Sequence, residues 1–174
     1  ACVIPHAWHI VQGGFFHRQG GKHIHPYVYD DIKTIGDHRH RSAHGGARVY
    51  LADTLPEEYH GRLFMANIHE HALLSETLVR NGSGFIAKHG DDTVLANDPQ
   101  WIGVSLEIGP DGAVYRLDWH DADICGNDVH DKDTGRVYRL APEGTPYPTN
   151  FDLKKLSDRE LVEMQLDKND WYVR

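Results

Sequence analysis

The chain has 174 residues, 40% of them hydrophobic and 25% charged, a balance that supports one ordinary core and excludes a disordered chain. Its formal net charge of −8 argues against nucleic acid or an anionic membrane as partner, and no apolar run approaches the ~20 residues needed for direct membrane insertion. Two cysteines, Cys2 and Cys125, are too few for a disulfide framework and form neither a CxxC nor a CxxCH, which excludes a zinc knuckle or covalent haem attachment within the chain.

In chain order, the first 40 residues are the least legible. Trp8, Ile10 and Val11 suit a short strand before Gly13-Gly14, while Tyr27, Tyr29, Ile32 and Ile35 fit neither period. After His44-Gly45-Gly46, residues 47–51 form a β-rich run ended by Asp53. A polar connection over 55–60, broken by Pro56, leads into a strand from Arg62. Residues 72–79 read as a strand, although Leu73, Leu74, Glu76 and Leu78 also suit a helix. Asn81-Gly82-Ser83-Gly84 predicts a turn before Phe85-Ile86-Ala87.

Residues 103–108 alternate weakly, and Gly109-Pro110-Asp111-Gly112 predicts a tight reversal, because Pro presets φ and Gly accepts a positive φ. A strand over 113–119, an acidic loop over 120–133 and a strand over 135–140 follow. Pro142, Gly144, Pro146 and Pro148 mark a linker. Ser157-Asp158-Arg159-Glu160 is a capping box for a helix with apolar Leu161, Val162, Met164 and Leu166. Asn169-Asp170 breaks that helix and caps a second one from Trp171.

An internal repeat organises these elements. Residues 61–70 (GRLFMANIHE) align without gaps on 112–121 (GAVYRLDWHD), fifty-one residues apart. In both copies Gly opens a β-favouring run and Asn/Asp-x-His-Glu/Asp closes it. Propeller blades recur at roughly 40–50 residues, so the expected fold is mainly β. The reading is a partial β-propeller of two to three blades over residues 1–141, a Pro-rich linker over 142–155, and a short C-terminal α-helical segment over 156–174 that begins a helical repeat.

Fourteen histidines include the pairs His23/His25, His38/His40 and His69/His71. On a strand, residues i and i+2 share a face, so each pair would offer two imidazoles to one metal; adventitious surface binding is the plainer alternative. Asp121, Asp123, Asp128, Asp131 and Asp133 crowd one loop, which suits Ca²⁺ by ligand type but lacks the EF-hand pattern, so a solvated acidic loop competes with it.

Several strings together resemble one family: Asp30-Asp31-Ile32-Lys33-Thr34-Ile35, His44-Gly45-Gly46-Ala47, Asn67-Ile68-His69, Gly82-Ser83-Gly84-Phe85, Ala96-Asn97-Asp98, Pro110-Asp111-Gly112, Asp118-Trp119-His120-Asp121 and Gly135-Arg136-Val137-Tyr138. The chain is similar to the membrane-bound dehydrogenase domain of large planctomycete and verrucomicrobial multidomain proteins. The likeness implies a propeller like that of soluble sugar dehydrogenases using pyrroloquinoline quinone, with further blades upstream. It also implies HEAT-like repeats from residues 156–162 (LSDRELV) onward and a c-type cytochrome module as electron acceptor. The insert between His38-Arg39-His40 and His44 is shorter than in relatives.

Under that resemblance the compartment is periplasmic, and the substrate is a sugar or an alcohol. Oxidation then needs a base for the hydroxyl proton, cations for the quinone's carboxylates, and a Ca²⁺ to polarise it. His69 and His120 are the candidate bases, each beside a carboxylate (Glu70, Asp121). Arg39, Arg41 and His44 are the candidate cofactor contacts, with Arg136 a further cation, and Asp121 and Asp123 the candidate metal ligands. A second reading remains open: Asn67/His69 and Asp118/His120 are corner residues of a non-catalytic propeller that binds glycans or proteins.

Overall fold

A computed structural model describes residues 7–17, 27–28, 30–37, 43–122, 133–149 and 152–173. It is mainly β, with two antiparallel sheets and one short helix. Strands β1 (His44–Val49), β2 (Leu63–Asn67), β3 (Ala72–Asn81) and β4 (Gly84–His89) form a meander in that order, and β5 (Val94–Leu95) also pairs with β3. The second sheet is the meander β6 (Gly103–Ile108), β7 (Val114–Asp118) and β8 (Arg136–Leu140).

Local chemistry explains most of these elements. Residues 72–79 are a strand rather than a helix. The ambiguity has a physical source, since both faces of β3 are covered: Leu73 joins one apolar cluster, with Phe64, and Leu74 another, with Met65. A strand buried on both sides loses its alternation and reads as a continuous apolar run. Gly82 takes φ 58 in the two-residue turn between Asn81 and Gly84, the Gly-first form that matches strand twist. At the other predicted reversal, the Gly112 N–H donates to the Gly109 carbonyl at 2.9 Å.

The repeat seen in the sequence has a structural counterpart. In each sheet the first strand carries a bulge, between Gly45 and Ala47 in β1 and between Gly103 and Ser105 in β6. After the bulge the pairs Ala47↔Met65, Arg48↔Phe64 and Val49↔Leu63 correspond to Leu106↔Arg116, Glu107↔Tyr115 and Ile108↔Val114. Strand β1 begins three residues before the predicted run because His44-Gly45-Gly46 joins the ladder through its bulge, with Gly46 at φ 61.

The two sheets stack face to back. Phe64 and Leu73 from the first sheet pack with Leu106, Ile108 and Val114 from the second, together with Tyr50, Ala52 and Leu55. Val114 corresponds to Leu63, not to Phe64, so opposite faces of the equivalent sheets meet. Burying each of the Phe, Leu, Ile and Val side chains contributes about 1.5–3 kcal/mol. Strands β1 and β6 touch along their length and run the same way: Gly45 lies against Gly103, Gly46 against Leu106, and Arg48 pairs with Glu107. Tyr50 Oη donates to the Gly112 carbonyl at 2.9 Å and accepts from Leu55 N–H at 2.7 Å.

Three expectations need correction. Residues 7–17 contain no strand; Phe16 makes only an isolated bridge to Ile32, because the Gly13-Gly14 turn follows too closely for a ladder. The capping box is present, with Ser157 Oγ accepting from Glu160 N–H, but it opens a helix α1 of only six residues, Asp158–Glu163. Val162 and Leu166 stand exposed. Asn169 does cap, yet it opens a single 3-10 turn, Asp170–Tyr172, rather than a second α-helix. This segment docks on the β region: Asn169 Nδ2 donates to the Gly109 carbonyl at 3.0 Å and Tyr172 Oη to that of Pro110 at 2.8 Å.

The approach of β1 to β6 yields a test. A Cβ on Gly45 would stand 2.3 Å from the Gly103 carbonyl oxygen, whereas one on Gly135 meets nothing closer than 3.5 Å. Gly45→Ala is expected to cost about 1–3 kcal/mol of stability by urea unfolding, and Gly135→Ala less than about 0.5 kcal/mol.

Candidate functional site

Parallel β1 and β6 put the start of both strands, and the end of both β2 and β7, at one rim. His44 stands there opposite Asn67, and Gly103 opposite Asp118. Asn67 is fully buried; its Oδ1 accepts from the N–H groups of His69 (3.2 Å) and Glu70 (3.1 Å), and its amide bonds the Glu70 carboxylate. Asp118, 3% exposed, does the same job in the second sheet: its Oδ1 accepts from His120 N–H at 3.0 Å and Ile102 N–H at 2.7 Å. The repeated Asn/Asp-x-His signal is therefore a turn cap, in which the side chain satisfies backbone donors that leave the ladder.

The two candidate bases differ. His69 is exposed in the β2–β3 turn, and Glu70 is turned toward Asn67. His120, at φ 54, has a side chain only 15% exposed, with Nε2 at 3.4 Å from Asp98 Oδ2. The carboxylate beside His120 is thus Asp98, twenty-two residues earlier, and not Asp121. Asp121 is buried, and its Oδ2 accepts from Trp119 Nε1 at 3.4 Å. His69 and His71 lie in a turn, so the shared-face geometry of a strand pair does not arise. His71 Nδ1 instead meets the Trp101 carbonyl at 2.7 Å, with the backbone at φ 53.

Arg136 ties this rim together. Its Nη2 lies 2.6 Å from both Asp98 Oδ2 and Asp118 Oδ2, and its Nε donates to Asp118 at 2.8 Å. The guanidinium, with help from Gln100 N–H and the nearby His120, holds the Asp98 carboxyl below its ordinary range. Burial depresses the Arg136 guanidinium, and the hydrogen bonds to Asp98 and Asp118 outweigh that and raise it. The result is an imidazole whose Nε2 faces a carboxylate held ionised, while its Nδ1 is buried with no hydrogen-bond partner among the described residues.

Cofactor and metal contacts fit less well. Arg39, Arg41 and Asp123 lie outside the described residues, as do His23/His25 and His38/His40. His44 is half-buried against β2. Arg136 already commits its Nε and Nη2 to two carboxylates. No three His, Cys, Asp or Glu side chains converge on a metal position among the described residues. Those residues do not assemble the oxygen cage that Ca²⁺ requires.

The ion cluster predicts a pH signature. Because the Asp98 carboxyl is held below 3.8, its pairing stabilises the fold above that pH and is lost as pH falls through the lowered value. Urea unfolding of Asp98→Asn should therefore show a deficit against wild type at about pH 5. The deficit should shrink below pH 3.8; a gap that widens below that pH would contradict the assigned pairing.

Comparison with known proteins adds one relationship. No curated protein and no solved structure matches the chain. The family model described as "Domain of unknown function (DUF7133)" matches residues 9–144, which takes in both sheets and the rim between them. On that match over most of its length, the chain belongs to the DUF7133 family.

Proposed function

We propose that the two sheets are neighbouring blades of an extracytoplasmic β-propeller, and that its rim carries a base, His120, in a periplasmic sugar or alcohol dehydrogenase of the quinoprotein type. Three features support the propeller. The meanders are equivalent and stack face to back, as rotation rather than mirror packing requires. Their first strands run parallel at close approach, as inner strands around an axis do. Leu117 and Val137, on the face of the second sheet equivalent to the covered face of the first, stand 46% and 67% exposed and suit a following blade.

The dehydrogenase reading rests on the family resemblance of the motifs and, within the chain, on the pairing of His120 with Asp98 at 3.4 Å. His120 would take the hydroxyl proton while Asp98 and Arg136 hold the imidazole in place. Hydride acceptance would be the task of a pyrroloquinoline quinone with Ca²⁺, and electrons would leave to a c-type cytochrome module. The described residues do not form either site, so the cofactor contacts would come from elsewhere in the propeller.

One observation favours a second reading, a non-catalytic module for glycans or proteins: Asn67 and Asp118 act as turn caps, which accounts for the repeated motif without catalysis. Dye reduction with aldoses and alcohols, by the full-length protein supplied with quinone and Ca²⁺, separates the two. His120→Gln should lower turnover by about 10²–10⁴-fold, and His69→Gln should leave it nearly unchanged. Absence of both turnover and cofactor retention in the wild type rejects the dehydrogenase. Glycan binding that survives His69→Ala and His120→Ala would support the binding module.

A further inference from the structure

A second feature adjoins the rim, between the flanks of the two sheets, with Asp98 and Arg136 at its edge. A cleft of about 340 Å³ opens there, lined by Leu73 and Val94 on one side and by Val114, Tyr138 and Leu140 on the other, with Trp101 closing the side. Its size falls at the lower end of the ~300–1,000 Å³ typical of small-molecule sites. The lining is largely apolar, but it includes three guanidinium groups.

Two of these are already ion-paired. Arg136 pairs with Asp98 and Asp118. Arg139 Nε donates to Asp111 at 2.7 Å, and its Nη2 to the Pro146 carbonyl at 2.9 Å. Arg116 is different. It is 6% exposed, its Nε and Nη1 are buried with no hydrogen-bond partner among the described residues, and its guanidinium carbon sits 3.9 Å from the Trp101 ring centroid and 5.5 Å from that of Tyr138. Burial lowers its pKa to about 10, so it remains a cation at neutral pH. The aromatic faces offset part of its charge but accept none of its in-plane N–H donors.

The fold does not demand this cation. Arg116 occupies the middle of β7, paired with Leu106 and Tyr138. The equivalent position in β2 is Met65, paired with Ala47 and Leu74 and packed in an apolar cluster. One copy of the repeat fills the slot with a thioether, and the other buries a guanidinium with unused donors beside a cavity. A buried guanidinium with unmet donors is destabilising unless something completes it.

We propose that this cleft binds a small monocarboxylate with an apolar body, its carboxylate accepting hydrogen bonds from Arg116. A planar guanidinium matches a carboxylate in geometry and charge. Asp118 supplies counter-charge to Arg116, and the donors left unmet match a single carboxylate. The paired but nearby Asp98 and Asp118 disfavour a dianion such as phosphate. The apolar body lies against Leu73, Val94, Val114 and Leu140. This inference does not depend on the propeller or dehydrogenase readings.

Calorimetric titration of the full chain with benzoate and hexanoate tests it, with benzamide, hexanol and inorganic phosphate as controls. Both acids should bind once per chain with dissociation constants at or below the millimolar range, and the controls at least about tenfold more weakly. Arg116→Met, which copies the other sheet, should fold with an unchanged circular dichroism spectrum and lose benzoate binding. Val94→Trp, which leaves Arg116 in place and fills the cleft, should lose it too. Failure of both acids to bind wild type would overturn the proposal, as would equal binding of benzamide or phosphate. Undiminished benzoate binding by either variant would do the same.

Discussion

The structure depends on the backbone contact between β1 and β6. Gly45 and Gly46 lie so close to Gly103 and Leu106 that a side chain at Gly45 would overlap the Gly103 carbonyl. Strands bearing Cβ atoms on their facing sides stay farther apart. Close approach at these glycines brings Phe64 and Leu73 onto Leu106, Ile108 and Val114, and it aligns the beginnings of the two strands at one rim. The core and the rim site are two consequences of one steric allowance.

The same arrangement explains why equivalent residues carry different duties. Asn67 and Asp118 cap the turns that leave β2 and β7, but only the anion recruits Arg136 and, through Asp98, places His120. Where Asn stands, the turn closes on Glu70 and His69 remains exposed. One atom's difference between an amide and a carboxylate separates a plain turn from an electrostatic cluster. Met65 and Arg116 differ in the same way one face further in: the fold accepts either, and the chemistry of the neighbouring space depends on the choice.

The C-terminal segment shows how local and long-range forces divide the work. The Ser157 capping box forms as its spacing requires, yet α1 is too short to be stable by its own hydrogen bonds. Its neighbourhood is anchored instead by Asn169 and Tyr172, whose polar atoms reach carbonyls of the Gly109–Pro110 turn. Those carbonyls belong to a reversal sixty residues earlier, so the helix signal is local while its position is set by tertiary contact.

From the residues alone came the mainly β class, the fifty-one-residue repeat, both glycine turns, the strands β2, β4, β6, β7 and β8 to within a few positions, and the Ser157 cap. Each rests on chemistry within a few neighbours along the chain: glycine's access to positive φ, proline's fixed φ, β-branched side chains, and a hydroxyl three residues from a carboxylate. Tertiary structure resolved the strand-or-helix ambiguity of residues 72–79, and it alone decided that Asp98 rather than Asp121 attends His120 and that Arg116 is a buried cation beside a cavity although it aligned with Met65 in plain view. Those outcomes turn on which faces are covered and which distant groups meet, and neither burial nor a partner thirty-eight residues away, as Asp98 is from Arg136, has a local signature in the order of the amino acids.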